Sequence, residues 1–181
     1  MSTNPNGLSS ETATELSPDS PCEMTVSGTI SADPEDPNKL ILTTRDGCQF
    51  RAAPIDNLIV NGTKQWQAIP LTQSDGEIAK LQILGWVEQD SPSPDSYHCM
   101  GRVVQIGKKH TAATFKMSRP NGQATLRHTL INPPTELRLE EIWHLVAQRE
   151  GKYLKIVTAT CQASPHDNAS IQPLSDISAL A

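Results

Sequence analysis

Hydrophobic and polar residues alternate one by one along most of the chain, and each alternating run stops at a turn-forming residue. "MTVSGTIS" (24–31) alternates around Gly28. "KLILTTRDGCQFRAAP" (39–54) sets two alternating runs on either side of Asp46 and Gly47, a hairpin turn signal. "KQWQAIPLTQSDGEIAKLQILGWVE" (64–88) repeats the arrangement around Asp75 and Gly76. Pro70 inside that run argues against a helix and for a strand edge or bulge, because it has no N–H to give a ladder. A period of two throughout predicts strands, since successive side chains of a strand point to opposite faces.

The pattern breaks at "EQDSPSPDS" (88–96), whose prolines, serines and acids predict a linker. It then restarts. "CMGRVVQIG" (99–107) carries Gly101 near its start, as the first run carries Gly28. "TAATFKMS" (111–118) and "ATLRHTLI" (124–131) flank "RPNG", where Asn121 and Gly122 form a strong two-residue hairpin signal. "WHLVAQREGKYLKIVTA" (143–159) matches "WQAIPLTQSDGEIAKLQIL" (66–84): a Trp, an alternating run, an acid-containing Gly turn, then Leu-x-Ile. The interval from Gly28 to Leu81 equals that from Gly101 to Leu154, which makes two copies of one β unit the organising expectation. The segment 133–151 is ambiguous. Thr135 as an N-cap, Gly151 as a stop, and Leu139, Ile142, Trp143 and Val146 on one face suit a helix. The alternation of Ile142, His144 and Val146 and the match to Trp66 favour a strand, with room for a short helix over 136–141.

Each unit is a series of short strands with a glycine in the first and a hairpin at the end, and this pattern resembles the OB-fold. The resemblance spans 22–162 as two units and implies an all-β chain of two tandem small OB-like Greek-key barrels. Such barrels often bind oligonucleotides across their second and third strands and adjoining loops. The expected organisation is a tail over 1–21, a first barrel over 22–88, a linker over 89–97, a second barrel over 98–162 and a tail over 163–181. Both tails are polar and serine-rich, too poor in apolar surface to offset the entropy of ordering them, and are expected to be disordered.

Composition bears on location and chemistry. The N-terminus lacks the basic and apolar regions of a secretory signal, and no stretch has the roughly 18 apolar residues of a membrane span, so a soluble, cytoplasmic protein without membrane partners is expected. In such a compartment Asn61 ("NGT") and Asn168 ("NAS") are not glycosylation sites. The same setting makes disulfides among Cys22, Cys48, Cys99 and Cys161 unexpected. His98, Cys99, His110 and Cys161 follow no recurrent zinc-ligand spacing, so no metal or other cofactor is expected. Phosphate-cradling loops, nucleophile elbows and zinc-protease helices are absent. Glu140 and Glu141, being adjacent, point different ways. The five histidines show no recognisable nucleophile partner, and a non-catalytic protein is expected.

Charge supplies the functional handle. The chain has a formal net charge of −5, but residues 1–97 carry 5 basic and 14 acidic side chains, whereas 98–160 carry 10 and 4. Many of the cations fall on one hairpin. By parity Ala113, Phe115 and Met117 face a core with Leu126, His128 and Leu130, while Lys116 and Arg127 point outward among threonines. Lys108, Lys109 and His110 occupy the preceding turn and Arg119 the turn between the runs; parity leaves the facing of Arg102 open. Arg102, Lys108, Lys109, His110, Lys116, Arg119, Arg127 and His128 are thus the candidate binding residues. Solvent-facing cations are ordinary on strands and block pairing at edges, but a basic strip on an acidic molecule focuses an attractive field. Single-stranded nucleic acid, RNA or DNA, is the first expected partner. Aromatics are only 4% of the chain, and Phe115 and Trp143 have core parity, which leaves Tyr97, Tyr153 and His128 as candidates for base stacking. The alternative is an assembly or accessory factor that docks the strip on an acidic protein surface or adds a strand at an open edge.

Overall fold

The computed structural model describes residues 22–54, 62–87, 95–118 and 125–165. Most of both expected tails, most of the linker, both glycosylation-like asparagines and the turn holding Arg119 lie outside these residues. The rest is all-β. Ten strands follow in order: β1 (Glu23–Ala32), β2 (Leu40–Thr44), β3 (Gln49–Pro54), β4 (Gly62–Thr72), β5 (Ile78–Val87), β6 (Ser96–Ile106), β7 (Ala112–Ser118), β8 (Thr125–Ile131), β9 (Ile142–Glu150) and β10 (Tyr153–Ala163). Among the described residues the one helical element is a single 3-10 turn, Lys108–His110. β6 takes up Ser96 and Tyr97, at the end of the stretch expected to be linker, and β10 runs one residue into the expected tail.

The first five strands close a barrel. β1 pairs antiparallel with β2 and β4, β2 with β3 and β4 with β5, while β3 and β5 run parallel and seal the ring. This circular order is compatible with the OB-like barrel that the sequence pattern resembles. β6 to β10 pair in the same circular order. β6 meets β7 and β9, β7 meets β8, β9 meets β10, and the parallel contact of β8 with β10 is the bridge of Lys155 with Ile131. β1 and β6 join the halves edge to edge, placing Met24 opposite Tyr97. One hydrophobic cluster runs through both halves, from Val26, Phe50, Trp66 and Leu81 to Val103, Phe115, Trp143 and Leu154.

The residues that suggested a repeat occupy matching places. A Cβ on Gly28 would lie 2.6 Å from the Thr43 carbonyl oxygen, and one on Gly101 would lie 2.9 Å from Met117 Cγ and 3.0 Å from Phe115 Cβ. In each half the glycine lets the second strand cross closely over the first. Trp66 and Trp143 are both buried. The indole of Trp66 donates to the Gly28 carbonyl at 3.0 Å, and that of Trp143 to Glu141 Oε2 at 2.9 Å. Pro70 sits in β4 beyond Ala68, where the ladder with β1 ends, and register shifts lie on both sides of it.

The ambiguous segment resolves as strand β9, and 136–141 forms turns rather than a short helix. Tertiary bonds outweigh helical propensity here. The Glu140 N–H donates to the Val103 carbonyl and the Val103 N–H to the Glu141 carbonyl, each at 2.9 Å, while Leu137 is buried. The Glu141 carboxylate, itself buried, accepts the Arg138 N–H at 3.0 Å as well as the Trp143 indole. Glu140 takes a φ of 69°, a left-handed value that no helix tolerates.

Candidate nucleic-acid interface

Cross-strand register assembles the centre of the candidate site. Lys116 on β7 lies opposite Arg102 on β6 and opposite Arg127 on β8, so three cations form one row across three strands. All three are exposed. A register shift between Val103 and Gln105 settles the facing that parity left open: Val103 turns fully inward and Arg102 outward. Beside the row, the Thr114 and Thr129 hydroxyls share a hydrogen bond of 3.0 Å. Blocking an edge does not account for Lys116, because β7 is paired on both sides. Like charges placed directly opposite each other in a sheet are destabilising, so the row is held against a local cost.

Neutralisation is slight. Arg102 Nη1 lies 3.4 Å from Glu140 Oε2, and both side chains are about half exposed or more, an arrangement worth about 0–1 kcal/mol. Among the described residues neither Lys116 nor Arg127 has a carboxylate within ion-pair distance. Lys108, Lys109 and His110 are exposed in the turn joining β6 to β7, with Lys109 and His110 held at φ values of 72° and 52°. Lys116 lies four residues into β7 from Ala112, roughly 13 Å at about 3.3 Å per residue, and the basic turn lies beyond that end. The basic strip is therefore a cross-strand row plus a separate basic turn, not a continuous patch.

His128, expected among the binding residues, does not reach the surface. It is fully buried on the core face of β8, its Nδ1 2.6 Å from Tyr97 Oη, and burial pushes its imidazole down to about 4. It holds the core and does not face a ligand. Tyr97, also expected as a stacking candidate, is its buried partner, and Phe115 and Trp143 pack in the same core. Tyr153 is half-buried in β10. Among the described residues no aromatic stands on the outward face of the row. The large exposed aromatic is Trp86 in the first half, 43% exposed, with Lys64 Nζ 3.7 Å from its ring centroid.

The weighed zinc ligands do not converge. His98 and Cys99 alternate on β6 and face opposite sides, and His110 lies in the distant turn. Burial raises the Cys22 thiol to about 11 and raises Cys99 further, which keeps both protonated.

A second set of cations was not singled out from sequence. Arg51 on β3 lies opposite Lys80 on β5, and both are exposed near Lys39 at the start of β2. Arg51 and Arg127 hold the same place in their halves, each the third residue of its third strand and each following a buried Phe50 or Leu126. Aligning "QFR" with "TLR" would have found it; attention to net charge by segment hid it, because the first half is acidic. Against known proteins, the chain matches no family model, no curated protein and no solved structure.

Proposed function

We propose that this chain is a non-catalytic cytoplasmic protein of two tandem OB-like barrels that binds single-stranded nucleic acid along the Arg102–Lys116–Arg127 row, with Lys108, Lys109 and His110 as an outlying contact and Arg119 as a further candidate. The observation that carries the reading is the row itself: three cations in register on neighbouring strands of a molecule of net charge −5. β6, β7 and β8 are the first three strands of their ring, and the second and third strands of an OB-like barrel form its usual ligand face. Phosphates bridging successive cations would relieve their mutual repulsion. With stacking residues lacking on this face, affinity rests on phosphate contacts and falls steeply with salt.

Fluorescence anisotropy with labelled oligo(dT) and oligo(U) at low salt tests the proposal. Each phosphate contact on a single strand contributes about 0.7 to the slope of log affinity against log salt, so Lys116→Glu/Arg127→Glu should lower that slope by about 1.4 or more. Lys116→Thr should weaken binding yet raise stability by about 0.2–1 kcal/mol, because it removes two like-charge neighbours. Absence of binding at low salt overturns the reading. The lack, among the described residues, of an exposed aromatic beside the row favours the second reading, a dock for an acidic protein surface; co-purification that survives nuclease treatment would support it.

A further inference from the structure

The acidic half carries its own cationic site. A cleft of about 420 Å³ opens where the start of β2 meets the end of β3 and the start of β5. That volume falls in the range of small-molecule sites, about 300–1,000 Å³. Leu40, Ala53 and Pro54 give it an apolar floor, and Lys39, Arg51 and Lys80 stand at its rim. Residues 1–97 contain only 5 basic side chains, and three of them line this one cleft. Among the described residues no carboxylate lines it. Lys39 is paired with Asp36 at 2.8 Å, but among the described residues Arg51 and Lys80 have no acidic partner although they lie opposite each other on β3 and β5. Two unpaired cations facing each other beside an apolar floor suit a ligand with an anionic head and a flat apolar body.

We infer that this cleft binds a nucleotide, with the phosphate between Arg51 and Lys80 and the base against Leu40, Ala53 and Pro54. A guanidinium takes phosphate oxygens in a bidentate fork, an ammonium adds a point charge, and the apolar floor supplies the contact that the β6–β8 row lacks. The inference shares with the proposed function the premise of a nucleotide ligand but rests on different side chains. The nucleotide comes either from a strand or from the free pool.

Titration of the isotope-labelled full-length chain with AMP, adenosine and inorganic phosphate, followed by amide NMR, provides the test. AMP is expected to shift the resonances of Leu40, Ala53 and Lys80 and to bind at least ten-fold more tightly than adenosine or phosphate alone. Arg51→Glu/Lys80→Glu should abolish those shifts while dispersion elsewhere shows a folded chain, and Lys116→Glu should leave AMP binding unchanged. If the cleft variant also weakens oligonucleotide binding, the nucleotide belongs to a strand; if oligonucleotide binding is unaffected, it is a free mononucleotide. AMP shifts absent at millimolar concentration, or equal affinity for AMP and adenosine, would overturn the inference. Failure of oligonucleotide binding with AMP binding intact removes the row's role and leaves the cleft standing.

Discussion

Arg149→Met should be among the most destabilising single changes in this protein, and the reason lies at the join between its halves. Arg149 on β9 has a side chain only 8% exposed. Its Nε donates to Asp95 Oδ2 at 2.6 Å, and its Nη1 and Nη2 reach Asp46 Oδ2 and Oδ1 at 2.9 and 3.0 Å. Nη1 also donates to the Gly151 carbonyl at 2.7 Å. Asp95 is 10% exposed and additionally accepts the Ser27 N–H at 2.8 Å. One guanidinium thereby ties β9 to the turn after β2 and to the residue that pins β1. The two carboxylates are not equivalent. Asp46 is 47% exposed, so its arm is a surface pair worth about 0–1 kcal/mol. Asp95 would be left charged and nearly buried, and breaking such a pair costs about 3–5 kcal/mol. Urea unfolding followed by circular dichroism should show Arg149→Met losing about 3 kcal/mol or more and Asp46→Asn losing less than about 1 kcal/mol. Arg149→Met/Asp95→Leu should recover part of the loss, since it removes the uncompensated charge but leaves the Ser27 N–H without its acceptor. A loss below about 1 kcal/mol for Arg149→Met, or no recovery in the double variant, would refute this account.

Two further outcomes follow from the core. His128 has a folded pKa of about 4 against an ordinary 6.5, so between those values the unfolded chain binds more protons than the folded one. Its contribution is full above about pH 6.5 and is lost as pH falls toward 4, by about 3 kcal/mol in all. His128→Leu should flatten the stability profile over that window in urea titrations at stepped pH, and an unchanged profile would show that other groups govern it. Gly28→Ala should cost about 1–3 kcal/mol and more than Gly101→Ala, because its new methyl would lie 2.6 Å from the rigid Thr43 carbonyl oxygen, whereas at Gly101 the nearest atom is in the flexible Met117 side chain and the more rigid Phe115 Cβ is at 3.0 Å. Melting temperatures that rank the two the other way would disprove the close-crossing explanation.

Period and turn chemistry were enough to determine the strands and the hairpins at Asp46–Gly47 and Asp75–Gly76, because both are properties of neighbours in the chain. Parity likewise placed Phe115 and Met117 inside and Lys116 and Arg127 outside. It failed at Arg102, where a register shift in β6 resets the alternation, a feature set by the partner strand. The helix signal over 136–141 was real as local propensity, but backbone bonds to Val103 and the buried Glu141–Trp143 contact outweighed it. His128 was placed correctly on the core side by period and misjudged as a ligand residue by its chemistry. Its role depends on Tyr97, 31 positions away in sequence. What only the tertiary structure could decide is which residues come together: the register that sets Arg102 beside Lys116, the gathering of Lys39, Arg51 and Lys80, and the clasp of Arg149 on Asp46 across 103 positions. Charge counted along a chain records how many cations a segment holds. Whether they attract a ligand depends on their separation in space, which strand pairing and register set.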